Sequence, residues 1–570
     1  MHRGNLARHA PRCRYCPDEP DRHLAVEPHA RSDRQPRWRI EHPARGSRNL
    51  KQARTHAPAT TLAHDWSNQQ AWNLKGRYVY MIGIGGCGMS GLARMLRARG
   101  AIVRGSDMSQ SEATDALADD GISVDFDQSR QWLPGTDSTD RCDLVVCSAA
   151  IKPDHPQLLE AVRRGIEHLT YAEALGRCMI GRTGVAIAGT HGKSTTTSML
   201  SCILSDAGLA STAIVGATCA QLAGTKAPAP ASSAHSPGFV LGQESLPVGP
   251  LSGRPGILLA EACEFNRSFH NYHPSVACIT SVEADHLDIY GSLDAVVESF
   301  QHFARLVAPE RDGGLLLIAH DNAHRREVTA GVAARVATIG FSPDADWSVR
   351  YDRASRTASL VSPEQKVVLE WTMLMPGEHN AMNAAFAATL ALHLGAAPES
   401  ISRSLSAFRG VDRRAQLLGT RPLPTGGSVR VYDDYGHHPT ECDATLRAIR
   451  HFEQPQKNGG RLICIFQPHQ HSRTRHLMQE FAVAFSEADV VIVPHIYFVR
   501  DSQEEKSKVT AGDLVDELRK RGVFAMHLYP FEAIVEQLEV ICRPNDVVLV
   551  MGAGPVYQIG QQFLARASNA

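Results

Sequence analysis

The octapeptide Gly189-Thr190-His191-Gly192-Lys193-Ser194-Thr195-Thr196 constrains the fold of this chain more than any other stretch. The run before it, Gly184 to Ala188, is small and β-branched, and the run after it, Thr195 to Ala207, carries apolar residues at helical spacing. A strand should therefore feed a glycine-rich turn that opens a helix, the setting of a phosphate-binding loop. Such a turn aims backbone N–H groups and the positive end of a helix at phosphate. Lys193 adds a cation for the β and γ oxygens, and the Ser194 hydroxyl is placed to hold Mg²⁺. The GxxxxGK[ST] pattern asks for glycine where this chain has Ile187, and Gly189 falls two residues later, so the loop is a variant form. The loop alone predicts a user of nucleoside triphosphate that transfers or hydrolyses a phosphoryl group.

At 570 residues the chain is too long for one core, and three or four domains are expected. A formal net charge of −1 argues against a nucleic-acid partner. No apolar run is long enough to cross a bilayer, so no membrane partner is expected. Thirteen cysteines are scattered, with Cys147, Cys278 and Cys464 inside apparent strands, which fits buried thiols in a reducing cytoplasm. Cys13 and Cys16 form the one close pair, with His9 and His23 nearby, but a single CxxC is weak evidence for zinc. Residues 1–65 are rich in Arg, His and Pro and show no period of 2 or 3.6, so they read as a disordered extension without the apolar segment of a secretory signal.

The expected fold class is α/β, with three domains after that extension. In the first, residues 70–168, a strand from Arg77 to Ile82 runs into Gly83-Ile84-Gly85-Gly86-Cys87-Gly88, and Met89 to Ala98 has a helical pattern. Strands at Ala101 to Gly105 and Leu144 to Ser148 follow, and Asp107 falls where the ribose-binding acid of a Rossmann-like dinucleotide fold would lie. The second, 169–408, holds the P-loop, with strands at Ile257 to Ala260, Ala277 to Val282 and Leu315 to Ala319 and a helix over Asp294 to Leu306. Residues 220–255 read as a surface insertion rich in Ala, Pro, Ser and Gly. The third, 409–570, alternates strands at Val429 to Tyr432, Arg461 to Phe466, Val490 to Val493 and Val547 to Val550 with helices, a second Rossmann-like pattern.

Phosphoryl transfer needs acids or imidazoles that bind metal near the phosphates. Glu261 ends one apolar strand and His286, in Glu283-Ala284-Asp285-His286, follows another. Read alone they are a surface acid and a loop histidine, and beside a P-loop they are metal ligands. Asn380 and Asn383 share one face of a helix start, as caps or as contacts to a purine and its ribose. Asp433-Asp434-Tyr435-Gly436-His437-His438-Pro439 and Gln467-Pro468-His469 each follow a strand, with Arg473 beyond, and look like the wall of a second-substrate pocket.

With these residues assembled, the chain resembles the Mur ligase family from about residue 75 onward. The landmarks are GIGGCGMSG at 83–91, GTHGKSTT at 189–196, EADH at 283–286, GEHNAMN at 377–383, VDRR at 411–414, DDYGHHPTE at 433–441 and FQPH at 466–469. The resemblance implies an ATP- and Mg²⁺-dependent ligase acting through an acyl phosphate in peptidoglycan precursor synthesis, with an alanine-adding branch taking UDP-N-acetylmuramate and L-alanine. It places Gly83, Gly85, Gly86, Gly88, Met89, Ser90 and Asp107 at a UDP-sugar. Gly189 through Thr195, Asn380, Asn383, Arg413 or Arg414, and Asp434 would serve ATP. Lys193, Glu261 and His286 would be catalytic, with Ser194, Glu261 and His286 on metal, and His437, His438 and His469 on the amino acid.

Departures from the family pattern matter. Where the family usually shows EADESD, this chain has Glu261-Ala262-Cys263-Glu264-Phe265-Asn266, so metal binding must lean on Glu261, with Glu264 as a further candidate. No lysine occurs between Lys226 and Lys366, which fits the alanine-adding branch because sister ligases carry a carbamylated lysine there. Rival readings are a ligase that recycles a tripeptide onto the same sugar, an NAD-dependent oxidoreductase suggested by Asp107, and an inactive nucleotide-binding relative.

Overall fold

The computed structural model describes residues 71–129, 141–223, 238–249, 251–424, 426–499 and 501–566. The expected extension over 1–65, with Cys13 and Cys16, lies outside the described residues.

The first sheet is wholly parallel, in the order β3-β2-β1-β4-β5. Its strands are β1 (Tyr78–Ile82), β2 (Ile102–Ser106), β3 (Ser123–Asp125), β4 (Leu144–Cys147) and β5 (Glu167–Thr170). β1 and β4 are nearly continuous apolar runs, as strands covered on both faces must be. The chain builds out from β1 on one side and then crosses to β4 on the other. A crevice therefore opens at the end of β1, where Gly83 begins. Residue 168, the expected boundary, falls inside β5 and so within this sheet. The next helix, Tyr171–Met179, packs so closely on the central domain that a Cβ on Gly176 would lie 1.9 Å from the Asn271 carbonyl oxygen.

The central sheet has ten strands: β6 (Thr183–Ala188), β7 (Thr212–Ile214), β8 (Phe239–Val240), β9 (Ile257–Ala262), β10 (Val276–Ile279), β11 (Leu315–Ala319), β12 (Arg335–Gly340), β13 (Trp347–Asp352), β14 (Thr357–Val361) and β15 (Val367–Thr372). Their order is β15-β14-β13-β12-β11-β10-β6-β9-β7-β8, parallel from β13 to β7 and antiparallel at both edges. The β6 strand, which carries the P-loop, runs between β9 and β10, so the residues after all three strands crowd one edge. The expected helix is found at Leu293–Arg305.

Of the expected insertion over 220–255, residues 224–237 and 250 lie outside the described residues, and the described part after them packs on the central sheet. Gly238 O accepts from Val215 N at 2.9 Å, Ala210 O accepts from Gln243 N at 2.8 Å, and Leu246 and Leu251 are buried. Close backbone approach requires glycine at one point of it: a Cβ on Gly242 would sit 2.2 Å from the Ser211 carbonyl carbon. The helix Glu378–Leu394 is buried on nearly every side, and its alanines let it lie against the P-loop helix Lys193–Asp206.

The third sheet runs β16-β17-β21-β18-β19-β20, antiparallel only between the first two. Its strands are β16 (Gln416–Pro422), β17 (Ser428–Asp434), β18 (Leu462–Phe466), β19 (Val490–Val493), β20 (Ala525–His527) and β21 (Val547–Met551). β17 and β18 flank β21 and point the same way, so the turns after Asp434 and Phe466 share one edge. Among the described residues no helix is long and apolar enough to cross a membrane.

Candidate active site

The P-loop turn is possible only with glycine at two places. Gly189 has φ 135° and a Cβ there would lie 2.0 Å from Thr280 Oγ1, while Gly192, at φ 82°, would meet Asn383 Oδ1 at 2.4 Å. Gly192 caps the helix Lys193–Asp206 without a side-chain partner, which leaves the first-turn N–H groups to the loop's cavity. Lys193 Nζ donates to Thr190 O at 3.1 Å and to Glu264 Oε2 at 2.9 Å. Burial is the largest single influence and works against this ammonium, but Glu264, joined by Cys263 and Glu261, holds the lysine above its ordinary pKa. Cys263 beside it is kept a neutral thiol, pushed up to about 11 by burial.

Glu261 lies one residue before the end of β9, opposite Ile187 of β6. Ser194 Oγ donates to its Oε2 at 3.0 Å and Gly216 N to its Oε1 at 2.6 Å. Burial raises its pKa. This pair of oxygen donors, a hydroxyl and a desolvated carboxylate beside a P-loop, fits a hard divalent cation such as Mg²⁺. His286 gathers with Glu264 and Asp285, whose ligand atoms lie within 4.8 Å of one another, while Glu261 keeps to Ser194. Asp285 is also the acceptor of Arg473, at 2.7 Å from Nη2, and although burial is the largest single influence and opposes its charge, Arg473 together with His286, His437 and His438 holds the carboxyl well below its ordinary range.

A cavity of about 570 Å³ opens over the P-loop, within the size range of small-molecule sites. Residues 190–195, Asn380, Asn383, Arg414, Asp434 and Glu441 contribute polar walls, and Ile339, Phe341, Met382 and Phe386 contribute apolar ones. Asn380 Nδ2 donates to Pro376 O at 2.7 Å and Asn383 Nδ2 to Asn380 Oδ1 at 3.3 Å, so the two amides are fixed as well as exposed to the cavity. Arg414 lines it, with Nη1 3.7 Å from Glu441. Arg413 does not: its guanidinium turns into the third domain, onto Asp433 and the carbonyls of Gly552 and Gly554. Asp434 accepts from Ala415 N and Gly436 N, and burial pushes it up to about 6.

Sequence reasoning singled out neither Glu283, Thr440 nor Glu441 as a site residue. Glu283 Oε2 accepts from Thr440 Oγ1 at 2.6 Å, joining the central loop to the third domain. Glu441 receives His437 N at 3.0 Å and faces His191 Nδ1 at 3.2 Å. The signal for it was the helix start itself, since His438 and Glu441 form a capping box. His437 is buried and depressed to about 4, and its ring lies 5.6 Å from that of His469, whose Nδ1 is 3.2 Å from Arg473.

The first-domain loop is built differently. Gly83 has φ 76°, and Gly85 N donates to Asp107 Oδ2 at 2.8 Å. A Cβ on Gly85 would lie 2.7 Å from Thr114, and one on Gly88 2.8 Å from Tyr171. Met89 and Ser90 are buried in the helix Cys87–Ala98, with Ser90 Oγ on Cys87 O. Cys87 Sγ donates to Val215 O at 3.5 Å, which brings the start of this helix against the central domain.

The sequence matches three family models in chain order. They are the Mur ligase family catalytic domain over 78–183, the Mur ligase middle domain over 187–391, and the Mur ligase glutamate ligase domain over 413–554. The UDP-N-acetylmuramate--L-alanine ligase of Caldanaerobacter subterraneus is 33% identical over 494 residues, covering 86% of this chain and 98% of that one. The enzyme of that name from Streptomyces avermitilis is 37% identical over 498 residues, covering 86% and 97%. In fold, the chain is similar to the crystal structure of UDP-N-acetylmuramate-alanine ligase MurC from Thermotoga maritima, with a TM-score of 0.64, 24% identity and coverage of 86% and 99%. It is also similar to a murein peptide ligase from Psychrobacter arcticus, with a TM-score of 0.59, 22% identity and coverage of 87% and 99%.

Proposed function

Because this chain belongs to the Mur ligase family and is an ATP-dependent amide-forming ligase, we propose that it joins L-alanine to the carboxylate of UDP-N-acetylmuramate in peptidoglycan precursor synthesis. The observation that carries this reading is the meeting of two glycine loops. The helix start after Gly86 touches Val215, and the neighbouring Gly216 holds Glu261, which holds Ser194 of the P-loop. A sugar nucleotide with its diphosphate at Gly83 to Gly88 would reach its carboxylate toward the γ-phosphate of ATP.

In the proposed reaction, a carboxylate oxygen attacks the γ-phosphorus and the bond to the β-phosphate oxygen breaks, giving an acyl phosphate and ADP. The amine of alanine then attacks the acyl carbon, loses a proton and expels inorganic phosphate, leaving an amide. Lys193 leaves Glu264 and the loop carbonyls for the β and γ oxygens, and the N–H groups at the start of its helix share that charge. Ser194 and Glu261 would hold Mg²⁺, with His286 in the separate group it forms with Glu264 and Asp285, and the ion would supply charge neutralisation as the phosphoryl group moves. Asn380, Asn383 and Arg414 hold the nucleotide, and His437, His438 and His469 form the amino-acid wall. The Arg473–Asp285 and Thr440–Glu283 contacts pull the third domain over the central one and exclude water from the acyl phosphate. This reading puts the chain in the cytoplasm, where its water-soluble substrates occur together.

The test is phosphate release from ATP with UDP-N-acetylmuramate and, separately, alanine, glycine, serine or the tripeptide. Release with alanine at the highest kcat/KM is expected. Release with the tripeptide alone would move the chain to the recycling branch, and no release with any acceptor would sink the ligase reading.

A further inference from the structure

Among the described residues, one cluster of metal-binding side chains has no metal role in the proposed reaction. His191, Glu283 and His438 present ligand atoms that lie within 4.8 Å of one another. They come from three separate segments: the P-loop turn, the loop after β10 and the cap of the helix Pro439–Glu453. His191 Nε2 stands 3.4 Å from Glu283 Oε2, buried and without the alignment of a hydrogen bond. His438 Nδ1 stands 3.9 Å from the same oxygen. Ligands held about 2.0–2.1 Å from a tetrahedral zinc ion lie about 3.3 Å from each other, close to the two spacings at Glu283, and coordination would take His438 Nδ1 from the Thr440 N–H that it now accepts at 3.3 Å.

The outer contacts strengthen the case. A ligating imidazole ordinarily gives its other nitrogen to a carboxylate or a backbone carbonyl. His191 does so through Nδ1, 3.2 Å from Glu441 Oε1, and His438 does so through Nε2, 3.3 Å from Ala284 O. Glu283 is itself oriented by the Thr440 hydroxyl. Both rings are thus turned with one nitrogen toward the same carboxylate, and their centroids are 4.8 Å apart.

We infer that His191, Glu283 and His438 form a transition-metal site for Zn²⁺ or a similar borderline ion, separate from the Ser194–Glu261 oxygen pair, and that the bound ion fastens the P-loop to the third domain. Two imidazoles and one carboxylate favour zinc over Mg²⁺, which prefers six oxygens. Binding at His191 Nε2 requires that nitrogen to be deprotonated, while Nδ1 keeps its contact with Glu441.

The test uses the full chain carrying Cys13→Ser and Cys16→Ser, which removes the CxxC pair as a competing zinc site, with Co²⁺ as the optical probe and Zn²⁺ in equilibrium dialysis. One equivalent of zinc should be retained in the presence of a thousandfold excess of Mg²⁺. Co²⁺ should give tetrahedral visible bands without sulfur-to-cobalt charge transfer. His438→Ala and, independently, Glu283→Gln should weaken zinc binding at least tenfold, whereas Glu261→Gln should leave it unchanged. Displacement by Mg²⁺, a thiolate spectrum, zinc binding unaffected in both site variants, or loss of zinc with Glu261→Gln would each overturn the assignment.

Discussion

The two glycine loops of this chain share a plan, strand into turn into helix, yet they are filled in opposite ways. At the P-loop an ammonium, Lys193, occupies the space among the loop carbonyls and is matched by Glu264. At the first-domain loop a carboxylate, Asp107, takes a loop N–H. One loop is thus set for the concentrated negative charge of a moving phosphoryl group, with a cation that can change partners. The other offers backbone N–H groups and a helix end alone, enough to hold a diphosphate that does not react. Glycine spacing says that phosphate is bound, and the charged residue beside the glycines says whether it is transferred.

The contrast can be broken most severely at Lys193. Lys193→Ala should lower phosphate release about 10³-fold and strand Glu264, a buried carboxylate, at a cost of about 3–5 kcal/mol. Adding Glu264→Gln should restore the melting temperature but not turnover, and restored turnover would show that the cation serves folding alone. Gly192→Ala comes next, because its left-handed backbone and Asn383 both resist a methyl group. Its ATP KM should rise about 100-fold with sugar-nucleotide affinity retained. Gly85→Ala should do the reverse: a rise of about tenfold in the KM for the sugar nucleotide and an unchanged KM for ATP. Asp107→Ala, which frees the Gly85 N–H and loosens the turn, should raise the sugar-nucleotide KM about threefold. If Gly85→Ala moved the ATP KM as much as the sugar KM, the two loops would not be separate sites.

What was legible in the sequence was local. Strand, turn and helix around Gly189 and Gly83 follow from neighbours a few residues away, and so do the buried strands β6, β9, β10 and β11, which are apolar nearly throughout, with Glu261 of β9 as the one charge. Strands β13 to β15 were not anticipated, because they are half-buried and carry charges such as Arg350 and Glu370 on their open face. The site was legible to the extent that strand ends announce it. Its closing contacts were not: Glu283 meets Thr440 and Asp285 meets Arg473 across more than 150 residues of chain. The choice between Arg413 and Arg414 was equally hidden. Arg413 has φ 60°, and this kink sends adjacent guanidinium groups to opposite sides, one into the third domain and one to the cavity.

The Val215 carbonyl that receives Cys87 and the Gly216 N–H that holds Glu261 are the two ends of a single peptide group. That group is a rigid plate, since rotation about its C–N bond is costly. A tilt of the plate to follow the sugar loop at one rim must also move the carboxylate at the other. On the proposed reading, two substrates bound in different domains would be in mechanical communication through six coplanar atoms. By reciprocity, whichever one arrives first alters the welcome given to the second.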